Sequence, residues 1–257
     1  MKMLYKYYSV SEHSLKNISN SVVCFSDILG FNDPFEGVGH FKYEATPEMQ
    51  EYFNSIDSNA LNYLSEGTAA NSKELLSFKH RVFCVTEKYD HPLIWAHYAG
   101  SHTGFCVGYD EENIKKISDK FDDVEYAEHP HLVDVNQLDM DKVETLLYVK
   151  SKEWSYEEEW RAIHTITDAD VTHLNPREEY EVEADKLYVW NGYAAQGNLE
   201  LLAAKKYILK HCEPKVLYLG LKMDQEAKNE LIRIAKEKKI DIFQMTQQSN
   251  SFKLATY

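Results

Sequence analysis

Apolar, aromatic and β-branched residues concentrate in short runs along the chain, and those runs predict strands over residues 3–8, 21–25, 81–87, 104–109, 123–126, 159–167, 215–221, 241–245 and 252–257. Residues 180–190 read as one or two more. Between these runs the apolar spacing turns helical. Over residues 46–66, Met49, Tyr52, Phe53, Ile56, Leu61, Tyr63 and Leu64 recur at helical intervals. Gly67 to Asn71 predicts a break, after which Ser72 caps a shorter helix running to His80, with Glu74 in its first turn. A short helical turn is expected over 11–17, a short helix over 92–99, a polar helix over 110–120 and an amphipathic one over 139–150. Leu199, Leu202, Ala203, Tyr207 and Ile208 suggest a helix over 198–210. The clearest helix covers 224–239, with Asp224 as cap and Leu231, Ile232, Ile234 and Ala235 on one face.

Strands and helices interleave without a regular βα repeat, internal repeat or low-complexity linker. The expectation is one α+β domain over residues 1–257, built on a mixed, mostly antiparallel sheet flanked by helices. The unit 215–245 is β-α-β and suits a parallel pairing.

Composition narrows this picture. The 257 residues suffice to bury a sizeable core. A formal net charge of -14 argues against a general nucleic-acid coat, which needs a basic surface, while leaving room for a locally basic cleft. Cys24, Cys84, Cys106 and Cys212 form no CxxC pair and read as thiols of a reducing compartment rather than zinc ligands. No apolar run is long enough to span a bilayer, and the N-terminus lacks a signal-peptide pattern, so a cytoplasmic protein without a membrane partner is expected.

Three blocks carry residues suited to chemistry. In 31–37 (FNDPFEG), the Asn-Asp-Pro sequence sets a turn. Asn32, Asp33 and Glu36 then either line a pocket rim or serve a rigid loop. In 91–105, Trp95, His97, Tyr98 and His102 fall close together with two glycines. The rings can stack on a flat ligand and a His can donate to ribose or phosphate, or the segment is an aromatic helix packed on the sheet. A zinc site from its histidines fits poorly, since no acidic or Cys partner stands at ligand spacing. In 152–161, four acids precede and enter a strand that places Glu159 and Arg161 on one face. A carboxylate beside an Arg acts as a base or stabilises a developing cation; the alternative is a solvated acidic turn. No GxSxG, Walker P-loop or GxGxxG is present.

In this order, Leu4-Tyr5-Lys6-Tyr7, the loop 31–36, Phe83-Cys84-Val85-Thr86-Glu87, Trp95-Ala96-His97-Tyr98 through Phe105, and Trp154 through Arg161 resemble the bacterial family catalogued as domain of unknown function 2971. More distantly, an aromatic-basic first strand, a Thr-bearing middle strand and a late-strand Glu are similar to ADP-ribosyltransferases. That resemblance implies NAD held in the cleft of a split sheet. Lys6 or Tyr7, Thr86 or Tyr98, and Glu159 (with Glu157 as fallback) would take the three family positions, and Tyr98 or Trp95 would stack on nicotinamide. The resemblance assigns Glu159, Tyr98 and Glu157 to catalysis. Lys6, Tyr7, Asn32, Asp33, Thr86, Trp95, His97, His102 and Arg161 are assigned to NAD. Lys6 departs from the His or Arg usual at the first position. The resemblance further implies a macromolecular target, nucleic acid or protein. It implies a role as a toxin or phage-defence effector, with a neutralising, antitoxin-like partner. Two rival readings stand beside it: a ligand- or nucleotide-sensing module without turnover, and a nuclease binding Mg²⁺ through Asp33, Glu36, Glu157 and Glu159.

Overall fold

The aromatic run at the N-terminus forms a central strand between two neighbours, with Leu4 buried on one face and Tyr7 on the other. The computed structural model describes residues 2–137, 140–174, 181–193 and 198–257. In chain order the elements are β1 (Met3–Tyr8), α1 (Glu12–Ser19), β2 (Val22–Ser26), β3 (His40–Lys42), α2 (Pro47–Ile56), α3 (Ala60–Lys79), β4 (His80–Thr86), α4 (Pro92–Tyr98), β5 (Phe105–Asp110), α5 (Glu111–Ile117), β6 (Lys120–Asp123), β7 (Glu125–Ala127), β8 (Leu132–Asp134), α6 (Met140–Glu144), β9 (Val149–Ser151), β10 (Glu159–Thr165), β11 (Val171–Leu174), β12 (Lys186–Tyr193), β13 (Asn198–Lys205), β14 (Tyr207–His211), β15 (Val216–Leu219), α7 (Gln225–Lys238), β16 (Asp241–Gln247) and β17 (Leu254–Thr256).

The fold is α+β, as expected, and most strand pairs of the main sheet are antiparallel. Its order is β14-β2-β4-β1-β5-β15-β16-β17, with β10 joining β4 to β6. β15 and β16 pair in parallel across α7, the one-helix crossover foreseen for that unit. β11, β13 and β12 form a separate three-stranded sheet.

β10 pairs along the whole of β4, from Glu159 opposite Thr86 to Thr165 opposite His80. The other edge of β4 is shared. β2 touches it through the pair Ser26 and Val82, and β1 through the pair Tyr5 and Thr86. β1 and β2 therefore splay apart, and the sheet is split over the middle of β4.

Leu4, Phe25, Phe83, Val107, Leu231 and Ile234 form the main core, under α1, α5 and α7. The opposite face carries two smaller clusters. One centres on Ile28, Leu76, Val82 and Leu146; the other on Tyr7, Ile94, Trp95 and Tyr218. The split lies between these two. The four cysteines are free thiols, Cys106 and Cys212 fully buried and Cys24 and Cys84 partly so. Among the described residues, no helix is long and apolar enough to cross a membrane.

The structure corrects several element expectations. α3 runs unbroken through Gly67 to Lys79, and Ser72 bonds back to the Thr68 carbonyl inside it rather than capping a new helix. Residues 198–210 are the strands β13 and β14, paired with β11, β12 and β2. The expected helix over 139–150 shrinks to α6, a 3₁₀ turn and β9. Its expected start at Asp139, like the strand start at Tyr180, lies outside the described residues.

The turn after α4 is set by glycine. Gly100 has φ +55, and a Cβ on Gly104 would sit 2.1 Å from the Tyr8 carbonyl oxygen and 2.9 Å from that of Ala99. Neither obstacle is a mobile side chain. Gly104→Ala is therefore expected to destabilise the chain by about 3 kcal/mol or more, read by denaturant unfolding. A loss below about 0.5 kcal/mol, the scale of an ordinary surface change, would contradict this packing.

Candidate functional site

The split opens into a cavity of about 340 Å³, within the range of small-molecule sites. Strands supply Tyr5, Lys6 and Tyr7 from β1 and Cys84 and Thr86 from β4. The loop 31–37 brings Phe31, Asn32 and Glu36; α4 brings His97 and Tyr98; Lys150, Glu157 and Glu159 close the far wall. Lys6 reaches the cavity because the parting of β1 from β2 uncovers a position on the other face of the strand.

A buried charge cluster forms the floor. The Glu159 carboxylate accepts from Arg161 Nε at 2.8 Å and Nη2 at 3.2 Å, and from Lys150 Nζ at 2.9 Å. Arg161 also holds Glu36, with Nη2 at 2.9 Å from Oε1 and Nη1 at 2.8 Å from Oε2. It donates to the Leu147 carbonyl as well, and its guanidinium lies 5.9 Å from the centre of the Phe31 ring. Lys150 donates to Glu157 Oε2 at 2.6 Å and lies 3.6 Å from Glu36 Oε1.

The balance of this cluster decides which acid is available. Three carboxylates face two cations, so one carboxylate lacks a counter-charge of its own. Arg161 serves Glu36 and Glu159, so Glu157 relies on Lys150 alone, at 2.6 Å, and shares it with Glu159 at 2.9 Å. Among the described residues, Glu157 Oε1 is buried without a hydrogen bond of good geometry, the neighbouring Tyr98 hydroxyl being the group placed to donate to this carboxylate. Burial raises Glu157 above the usual carboxylate range, Lys150 opposing and the Glu159 charge adding to the rise. Burial would raise Glu159 too, but Arg161 and Lys150 overturn that and hold it well below the range. Glu159 is thus a locked anion, whereas Glu157 sits at the point where a proton or a cationic group would complete the cluster.

Glu157 is held by its surroundings. Its backbone carbonyl accepts from the Thr86 hydroxyl, which in turn accepts from the Lys88 amide at 3.1 Å. The next residue, Glu158, turns the chain through a left-handed conformation at φ +46, and its carboxylate pairs with Lys88 at 2.7 Å. The Tyr98 ring lies beside Glu157. Burial lifts the Tyr98 hydroxyl far above its ordinary value, Lys150 opposing and the Glu157 charge adding, so it stays a neutral donor. Asn32 Nδ2 lies 3.4 Å from that hydroxyl.

The structure gathers eight of the twelve sequence-assigned residues on this cavity: Lys6, Tyr7, Asn32, Thr86, His97, Tyr98, Glu157 and Glu159. The other four lie elsewhere. Trp95 is fully buried, edge-on to Tyr7 at 5.1 Å, with its indole N–H bonded to the Tyr89 carbonyl. Asp33 accepts from the Phe35 amide and shapes the loop. His102 belongs to the turn against Gly220, where its carbonyl accepts from Lys222. Arg161 stands behind Glu159 rather than on the cavity surface. Tyr5, Phe31, Cys84, Ile94 and Lys150 line the cavity without having been assigned to it. The signal for Lys150 was a lone lysine ending the apolar run Leu146-Leu147-Tyr148-Val149, shortly before the acid cluster.

The four acids considered for Mg²⁺ do not converge as a ligand set. Asp33 is spent on its turn, and Glu36, Glu157 and Glu159 close around Lys150 and Arg161. Among the described residues, no group of three or more His, Cys, Asp and Glu is arranged to hold a metal ion.

A family model described as "Protein of unknown function (DUF2971)" matches residues 94–162. The matched stretch is similar to that family and spans α4 to the start of β10, including Tyr98, Lys150, Glu157, Glu159 and Arg161. β1 and the loop carrying Glu36 fall outside it. No curated protein and no solved structure matches the chain.

Proposed function

We propose that the chain is an enzyme that cleaves NAD at the nicotinamide–ribose bond and passes ADP-ribose to a macromolecular acceptor, with Glu157 as the working carboxylate. The observation that carries this reading is the buried Glu157 carboxylate at the aromatic-walled end of the split-sheet cavity, with Oε2 on Lys150 and Oε1 without a hydrogen bond among the described residues. In such a reaction the C1′–N bond breaks, and its electron pair leaves with neutral nicotinamide. Positive charge develops on the ribose. A fixed carboxylate in a desolvated site stabilises that charge far better than water-exposed groups do. The acceptor's nucleophilic atom then bonds C1′, and Glu157 takes the proton it sheds. Tyr98 and Phe31 offer rings to the nicotinamide. Lys6, which makes no ion pair among the described residues, offers a cation to the pyrophosphate. Glu159 acts through Lys150, holding that ammonium where it also steadies Glu157. Activity as a toxin or phage-defence effector would follow from transfer to an essential target.

The test is incubation of the protein with radiolabelled NAD, alone and in cell lysate, following nicotinamide release and label on macromolecules. Release with transfer is expected. Release without transfer would reduce the proposal to NAD hydrolysis. NAD that raises the melting temperature but is recovered intact would favour the ligand-sensing module, which uses the same buried Glu157. No release and no stabilisation would remove NAD from the account.

A further inference from the structure

Away from the cavity, the α2–α3 hairpin leaves apolar surface uncovered. α2 buries none of its residues, although its cap is well made: Thr46 accepts from the Met49 amide and Pro47 occupies the first turn. Met49, Tyr52, Phe53 and Ile56 recur at the spacing of a single helix face. Phe53 is half-covered and packs against the Tyr52 ring at 5.6 Å, but Tyr52 is 63% and Ile56 64% exposed. Tyr63 and Leu64 at the start of α3 are exposed as well. A helix formed and capped, yet with its apolar stripe in water, marks an interaction surface rather than a contributor to the core.

Charge identifies the occupant. From Tyr43 to Ser72 the sequence holds five acids, Glu44, Glu48, Glu51, Asp57 and Glu66, and no Lys or Arg. None of the five makes an ion pair among the described residues. We propose that the α2–α3 hairpin is a docking surface for a lysine- and arginine-rich amphipathic segment of a partner protein. Its apolar residues would cover Tyr52, Ile56 and Tyr63, and its cations would meet the acidic margin. A second copy of this chain would bring the same acids against themselves, and an anionic lipid surface would be repelled. α3 also carries Lys73, whose ammonium donates to the Pro34 carbonyl at 2.9 Å in the loop that walls the cavity. The inference stands whether or not NAD is the substrate.

The test uses the full chain and a fluorescent synthetic peptide with leucines at helical spacing and lysines elsewhere. Controls are a scrambled peptide of the same composition and one with glutamate replacing lysine. Fluorescence anisotropy is expected to show binding of the patterned cationic peptide at least tenfold tighter than of either control, weakening as salt rises. Tyr52→Ser with Ile56→Ser, and separately Glu48→Lys with Glu51→Lys, should each weaken it tenfold or more. Melting temperatures should hold, since no buried contact is lost. Equal binding of the scrambled peptide, or indifference to the Tyr52 and Ile56 changes, would overturn the proposal. So would concentration-dependent self-association abolished by Ile56→Ser, or binding to phosphatidylglycerol vesicles through the same residues.

Discussion

Arg161→Met is expected to destabilise the protein by about 3–5 kcal/mol, the cost typical of removing one partner from a buried ion pair. Arg161 is the junction of the cluster. It binds Glu36 and Glu159 together, both nearly inaccessible to water, and spends a further N–H on the Leu147 carbonyl. Methionine fills part of the volume but leaves both carboxylates to Lys150 alone, which Glu157 already claims. Against a total stability of about 5–15 kcal/mol for a typical domain, such a loss threatens folding at growth temperature. The pH dependence carries the signature. In the parent protein the carboxyl of Glu159 is held low, so its contribution is complete above the ordinary glutamate value near pH 4.3 and is lost as pH falls through the depressed one. In the variant the main cation responsible is gone, so acid relieves a buried charge instead. The gap between the two unfolding free energies should narrow as pH falls from 7 towards 4. Adding Glu36→Gln and Glu159→Gln should recover part of the loss at neutral pH. A cost under about 1 kcal/mol, or one independent of pH, would mean that the cluster is far better solvated than its burial indicates.

The contrast between Glu159, held low, and Glu157, raised, also shows what the sequence could and could not disclose. β1, α7 and the parallel β15–β16 pair were legible because short-range pattern and capping suffice: Asp224 accepts from the Ala227 amide where a cap was expected. Residues 198–210 were not, because Leu, Ala and Lys are good helix formers, and the pairing of β13 between β11 and β12 and of β14 with β2 overrides that local preference. Gly67 failed to break α3 because its cost of about 1 kcal/mol in a helix is small beside the burial of Leu76 and Ser77 further along. At the site, the strand that places Glu159 beside Arg161 was readable from alternation alone. The third partner was not. Glu36 meets Arg161 across 125 residues of chain, and only the folded sheet reveals that contact. Without it and Lys150, nothing distinguished the locked carboxylate from the available one. The acid most exposed to chemical speculation, Glu159, is the one the fold has already neutralised.

Glu157→Gln is expected to lower kcat/KM for NAD cleavage by about 10²–10⁴-fold, the range for loss of a positioned acid–base group, while leaving the protein folded. Glutamine keeps the side-chain shape and removes a charge that burial already disfavours, so the melting temperature should hold or rise slightly. Glu159→Gln should behave in the opposite sense. It removes the carboxylate that accepts from Arg161 Nε and Nη2 and from Lys150, so these buried donors lose their acceptor even though the charges then balance, and the protein should lose stability first and activity as a consequence. The pH profile offers an independent check. If ionised Glu157 stabilises the cationic ribose, activity appears only as pH rises through its pKa. Because burial raises that pKa, the acidic limb should lie above the ordinary glutamate value and vanish in the Gln variant. Measured on refolding-competent protein, full activity in Glu157→Gln together with a folded but inactive Glu159→Gln would return the catalytic role to Glu159. It would also mean that the ion cluster opens when substrate binds.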